Sequence, residues 1–171
     1  MGGWQDTRAV ILALCLGACA QETQPQTAAA EPADADAGVV SEIVGVATIS
    51  SGDTIRIGPR RVRFDGIATP RPRAMCGEVN AQREATNALR RLIRSSEVRC
   101  AISDLPDAQG RDIARCRVGE TDIAAQMVAD GWARDTPAQS DGAYAEEEAA
   151  ARAGRRGVWG LACTADPWPA E

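Results

Sequence analysis

Arg61-Val62-Arg63-Phe64-Asp65-Gly66-Ile67-Ala68-Thr69-Pro70 is the stretch that decides the architecture. Val62 and Phe64 alternate with Arg61, Arg63 and Asp65, the period-two pattern of a strand with one face in a core. A strand over Arg61–Ile67 follows. Working backward, Gly58-Pro59 marks a turn and Thr54–Ile57 a second strand. Gly52-Asp53 marks another turn, and Val39–Ser50, with apolar Val44, Val46 and Ile49, a further strand. Three strands joined by short turns predict a meander.

Working forward, the period changes. Over Glu78–Arg94, Ala81, Ala85, Ala88, Leu89, Leu92 and Ile93 share one helical face, with Arg83, Arg90, Arg91 and Arg94 largely on the other. That arginine run reads as a solvated helix face, with Glu78 as its cap. Val98–Ile102 and Ile113–Val118 are short strands. Ile123, Met127 and Val128 mark a second helix ended by Gly131, and Tyr144–Ala153 a third, stopped near Gly154 and Gly157. Strands early and helices late describe an α+β chain with a mainly β core: a small barrel with helices packed on it. Tyr144, Trp132 and Trp159 read as packing residues; Trp168, between Pro167 and Pro169, has no role that the pattern assigns.

Charge narrows the partners. The net charge is −5 over 171 residues, but Glu22, Glu31, Asp34 and Asp36 supply four of those negatives, and Asp6 offsets Arg8. From residue 39 onward 18 Arg meet 19 Asp and Glu, so this part is nearly neutral. It lacks the net basic surface of a polyanion-coating protein, although a local basic pocket remains open. The chain has no His and no Lys. Imidazole bases, His-ligated zinc and Ser–His relays are thereby excluded, leaving carboxylates, Arg, Cys, Tyr or a bound metal for any chemistry.

The N-terminus reads as an export signal. Arg8 precedes an apolar run from Ala9 to Cys19, too short to span a bilayer but of signal-core length. Its end, Leu16-Gly17-Ala18-Cys19, resembles the lipobox of bacterial lipoproteins. That resemblance implies lipidation at Cys19, with Ala20 favouring an outer-membrane destination; plain cleavage with release into the periplasm or medium, and a non-cleaved start, are the alternatives. Residues 1–19 are then the signal, 20–38 a solvated acidic Ala/Pro tether, 39–163 the folded domain and 164–171 a C-terminal tail. Cys76, Cys100, Cys116 and Cys163 remain after export, an even number that suits two disulfides in an oxidising compartment. Cys100 and Cys116 end two neighbouring expected strands and could cross-link them; Cys76 and Cys163 would then join the loop before the first helix to the C-terminus. Three pairings are nonetheless open from sequence. The spacing matches no zinc pattern, and the domain has no Cys-x-x-Cys for a redox role.

Five segments together carry a wider resemblance. They are Ser51-Gly52-Asp53-Thr54-Ile55, Arg61 to Pro70, Asp107-Ala108-Gln109-Gly110-Arg111, Asp122 to Ala133, and Arg155-Arg156-Gly157-Val158-Trp159. In order and spacing they resemble the thermonuclease, or staphylococcal nuclease-like, family. That family implies a five-stranded OB-fold barrel with three helices, and hydrolysis of DNA and RNA phosphodiesters with one Ca²⁺. The physical demands are several oxygen ligands for the hard cation, two guanidiniums on the phosphate and a carboxylate to take a proton from water.

By this resemblance Asp53 stands at the first metal-binding Asp and Thr69 at a metal-binding backbone carbonyl. Arg63 and Arg111 stand at the two phosphate-gripping positions. The second metal-binding Asp is Ala68 here, and the Glu proposed as general base is Arg71. Two carboxylates are replaced and one cation is added, a swing of three charges in one pocket. Ala108 and Gln109 also replace a Lys and an aromatic residue that help hold nucleotide. The expectation is a catalytically impaired member, a pseudoenzyme with Ca²⁺ binding weak or lost. Arg63, Arg71, Arg73 and Arg111 would then hold nucleic acid, another anion or an acidic partner, in a monomer anchored to membrane by its lipid. In the bland alternative these arginines pair with Asp53, Asp65 and Asp107 in a closed pocket. A second functional reading is an active Ca²⁺-dependent extracytoplasmic endonuclease with a rearranged metal site, Asp65 or Glu78 supplying the missing oxygen.

Overall fold

The computed structural model describes residues 39–170. The expected signal with Cys19 and the tether over 20–38 lie outside the described residues.

The expected first strand exists in two pieces, β1 (Val39–Val46) and β2 (Thr48–Ile49). Ala47 divides them because the chain changes partners there: β1 pairs antiparallel with β8 (Glu97–Ser103), and β2 with β3 (Thr54–Ile57). Strand β4 (Arg60–Phe64) follows the turn at Gly58. It ends at Phe64 rather than Ile67, since Gly66 turns the chain with φ 71° and Ile67–Ala68 (β5) pairs instead with Arg134–Asp135 (β11).

Helix α1 spans Ala81–Ile93, three residues shorter at its start than expected. Glu78 is not its cap. Met75–Cys76 (β6) and Val79–Asn80 (β7) form a hairpin that takes Glu78 out of the helix. Asn80 is the cap, its Oδ1 accepting from the Arg83 N–H at 2.9 Å. The helix buries Ala81, Ala85, Ala88, Leu89 and Ile93, while Arg83, Arg90, Arg91 and Arg94 face solvent as expected. Strand β9 (Asp112–Val118) returns beside β8, and a short β10 (Thr121–Asp122) leads into α2 (Ile123–Ala129). The third expected helix is α4 (Ala145–Ala153), preceded by a one-turn helix α3 (Pro137–Ser140) that the sequence pattern does not announce.

The main sheet runs β1-β8-β9-β4-β3-β2, with β10 added on β9. All its ladders are antiparallel except β4 with β9. It curls into a half-barrel around Ile55, Val62, Phe64 and Val98, and α1 and α2 deliver Leu89 and Met127 into the same core. Tyr144 is buried in that core, which pushes its phenol up to about 12, Asp122 adding to the effect.

Both disulfides form in the pairing Cys100–Cys116 and Cys76–Cys163. The first cross-links directly opposed residues of β8 and β9. The second ties β6 to the C-terminal segment beside a smaller core of Ala74, Ala81, Val158 and Trp168. Trp168 is 5% exposed, with its ring 5.2 Å from that of Trp159. Burial gives Trp168 the role that its sequence context did not supply. Such bonds fit an extracellular or periplasmic setting. No described helix is long and apolar enough to cross a membrane.

Candidate functional site

Asp53 lies in the turn between β2 and β3, closed by Ser50 and Ser51 N–H groups on the Thr54 carbonyl. Its Oδ1 accepts from Ser51 Oγ at 2.7 Å and from Thr54 Oγ1 at 2.9 Å. Its Oδ2 lies 3.5 Å from Nε of Arg63. The pair meets because β3 and β4 place Thr54 opposite Arg63. Arg63 also donates through Nη2 to the Ile67 carbonyl at 3.2 Å.

Arg111 is brought alongside by the parallel β4–β9 pairing and by a tight turn over Asp107–Arg111. Asp107 organises that turn. Its Oδ1 accepts the backbone N–H groups of Gln109 and Arg111, each at 2.9 Å, and its Oδ2 accepts Arg111 Nε at 2.6 Å. Burial works against its charge, but these hydrogen bonds prevail and hold the Asp107 carboxyl below its usual range. Arg111 then reaches Thr54 Oγ1 through Nη1 and Gln109 Oε1 through Nη2, both at 3.2 Å. Each arginine therefore has a carboxylate bracing its Nε edge, an arrangement that fixes a guanidinium fork for an anion.

Asp53, Arg63, Thr69, Gln109 and Arg111 line one cleft of about 570 Å³. Arg71 lines it too, from an exposed position, with its N–H on the Pro167 carbonyl at 2.9 Å and its Nη2 on the Asp166 carbonyl. Arg73 stands apart: it lines a separate cavity of about 160 Å³ that shares Arg71. Ala68 is buried, 3% exposed, in β5. Asp65 and Glu78 do not line the cleft, and Asp65 has Arg115 Nε 3.9 Å away. The expected pairing of arginines with nearby acids is half met. Asp53 and Asp107 take Arg63 and Arg111, yet both arginines still border open space.

A calcium ion needs six to eight oxygens, largely carboxylate. The cleft lining offers one carboxylate, and its oxygens already face two hydroxyls and a guanidinium. No described group of three or more His, Cys, Asp or Glu is placed to hold a metal. The residues present do not fit the ion.

Sequence reading missed four contributors. Ser51 and Thr54 anchor Asp53, and the hydroxyl-rich turn Ser50-Ser51-Gly52-Asp53-Thr54 carried that signal. Pro169 and Ala170 also line the cleft, and no local pattern announces them.

A family model described as Staphylococcal nuclease homologue matches residues 61–160. Among characterised proteins, the chain is 28% identical over 131 residues to the succinoglycan biosynthesis protein ExoI of Rhizobium meliloti (strain 1021). The match covers 72% of this chain and 68% of that protein.

Proposed function

The chain belongs to the family of staphylococcal nuclease homologues, and from that membership we propose an exported phosphate-gripping module whose hydrolytic power is impaired. One observation carries the reading. Arg63 and Arg111 are oriented by Asp53 and Asp107 onto one cleft, while Ala68 and Arg71 stand where the resemblance calls for a metal carboxylate and a base. A phosphate of nucleic acid is the first ligand this chemistry suits, since a braced guanidinium pair binds phosphate oxygens bidentately. Without the second carboxylate, calcium binds weakly or not at all, and neither its charge nor a general base serves hydrolysis. We read the curled sheet as a five-stranded OB barrel closed where β1 passes into β2. The protein acts as a monomer, delivered by its signal and held to the membrane by lipid on Cys19.

Retention of Asp53 beside Arg63 and Arg111 favours one alternative, a calcium-dependent endonuclease with a rearranged metal site. A cleavage assay on single-stranded DNA and RNA decides between them. Purified, disulfide-intact protein is expected to give no cleavage with either calcium or EDTA, yet to bind the strand, and to lose that binding in Arg111→Ala. Calcium-dependent cleavage that disappears in Arg111→Ala establishes the endonuclease instead.

A further inference from the structure

The C-terminal segment is part of the cleft. Pro169 and Ala170 line it together with Asp53, Arg63 and Arg111. Four attachments hold the segment there. Cys163 is bonded to Cys76, and Trp168 is buried against Trp159. The Pro167 and Asp166 carbonyls accept from Arg71, and the Pro169 carbonyl accepts from Arg134 Nη2 at 2.9 Å. Pro167 and Pro169 have φ fixed by their rings, so the backbone between these anchors has little freedom.

We propose that this segment makes the cleft selective for a terminal phosphomonoester over an internal phosphodiester. The inference rests on the cleft being an anion site and names the substrate class of that site. Two physical arguments support it. An internal phosphodiester must continue along the chain in two directions from the gripped phosphate, whereas an end group continues in one; a fixed wall beside the grip penalises the former. Charge points the same way. Arg63, Arg71 and Arg111 on the lining outnumber Asp53 and the Asp107 that braces Arg111 from beside it, so the cleft is net positive. A phosphomonoester above its second pKa of about 6 carries two negative charges, a diester only one.

The test is fluorescence anisotropy with one single-stranded DNA sequence, prepared with and without a 5′- or 3′-phosphate, with inorganic phosphate as competitor. The intact protein is expected to bind a phosphorylated end about tenfold tighter than the unphosphorylated strand. The preference should shrink as pH falls below about 6, where the end group loses its second charge. Competition by inorganic phosphate at comparable concentration would assign the preference to free phosphate, and overturn a strand-end ligand. Ending the chain after Trp168 removes the lining residues Pro169 and Ala170 while keeping the tryptophan anchor and the disulfide. This variant should bind both strands with less than about twofold difference. Trp168→Ala should behave likewise, with Trp168→Phe restoring the preference. Equal binding by the intact protein, or an unchanged ratio in both tail variants, overturns the proposal while leaving the anion site intact. Loss of neither affinity in an Arg63→Ala, Arg111→Ala double variant removes the anion site itself.

Discussion

At the scale of single residues, the cleft depends on carboxylates that serve arginines. Asp107 is the clearest case: it closes the turn through two backbone N–H groups and fixes Arg111 through Nε. Asp107→Asn keeps the shape and an oxygen for the two backbone N–H groups, but turns an amide N–H donor toward Arg111 Nε and so loses that bond, while the open setting of the turn screens part of the loss. The expected cost is about 1 kcal/mol of stability, together with a larger fall in anion affinity, because Arg111 loses its brace. The sign with pH follows from the lowered folded-state pKa of Asp107. Its contribution is fully present above the ordinary carboxyl value of 3.8 and is lost as pH falls through the still lower folded value. Chemical denaturation at neutral pH and near pH 3 checks this. The difference between Asp107→Asn and the parent should narrow on acidification; a gap that widens there is incompatible with the assigned role.

At the scale of elements, the helical end of the molecule depends on two glycines touching. Gly131, after α2, has φ 74°, and Gly157, at the start of the 3₁₀ turn Gly157–Gly160, has φ 51°. A Cβ on Gly131 would lie 2.2 Å from the Arg156 carbonyl oxygen, and one on Gly157 2.4 Å from that of Gly131. The close approach allows the Val158 N–H to reach the Gly131 carbonyl at 2.9 Å, which seats Val158 in the small core under the C-terminal segment. Gly131→Ala is therefore expected to cost about 2–4 kcal/mol, read as a fall in melting temperature. A loss within experimental error would mean that the contact can open at little cost. Both glycines stand in segments that were recognisable in the sequence, and so did the strands, because Val62 and Phe64 alternate with arginines. The start of α1 was not legible. Glu78 and Val79 fit a helical pattern, and only the hairpin joining Met75–Cys76 to Val79–Asn80 takes them out of it. The break at Ala47 was likewise invisible, since it records a change of strand partner, a non-local event.

At the scale of the whole molecule, the meeting of Asp53, Arg63 and Arg111 at one cleft was legible and its other walls were not. Asp53, Arg63 and Arg111 sit in local patterns, whereas Trp168 reaches the small core only through packing across the chain. The two disulfides divide along the same line. Cys100–Cys116 closes a short loop between strands already paired, and Cys76–Cys163 joins positions 87 residues apart. On a chain-entropy account the short loop is worth about 3 kcal/mol and the long one about 4–5 kcal/mol. Their effects on the cleft should differ more than their effects on stability. Replacing Cys100 and Cys116 by Ala leaves the β8–β9 ladder and the C-terminal wall in place, so binding should survive at temperatures where the protein stays folded. Replacing Cys76 and Cys163 by Ala removes one anchor of the segment that carries Pro169 and Ala170 into the cleft. At a temperature where both variants are folded by circular dichroism, anion affinity should change in the second and hold in the first. The same change in both would make the bridges equivalent staples and separate the long one from the shape of the site.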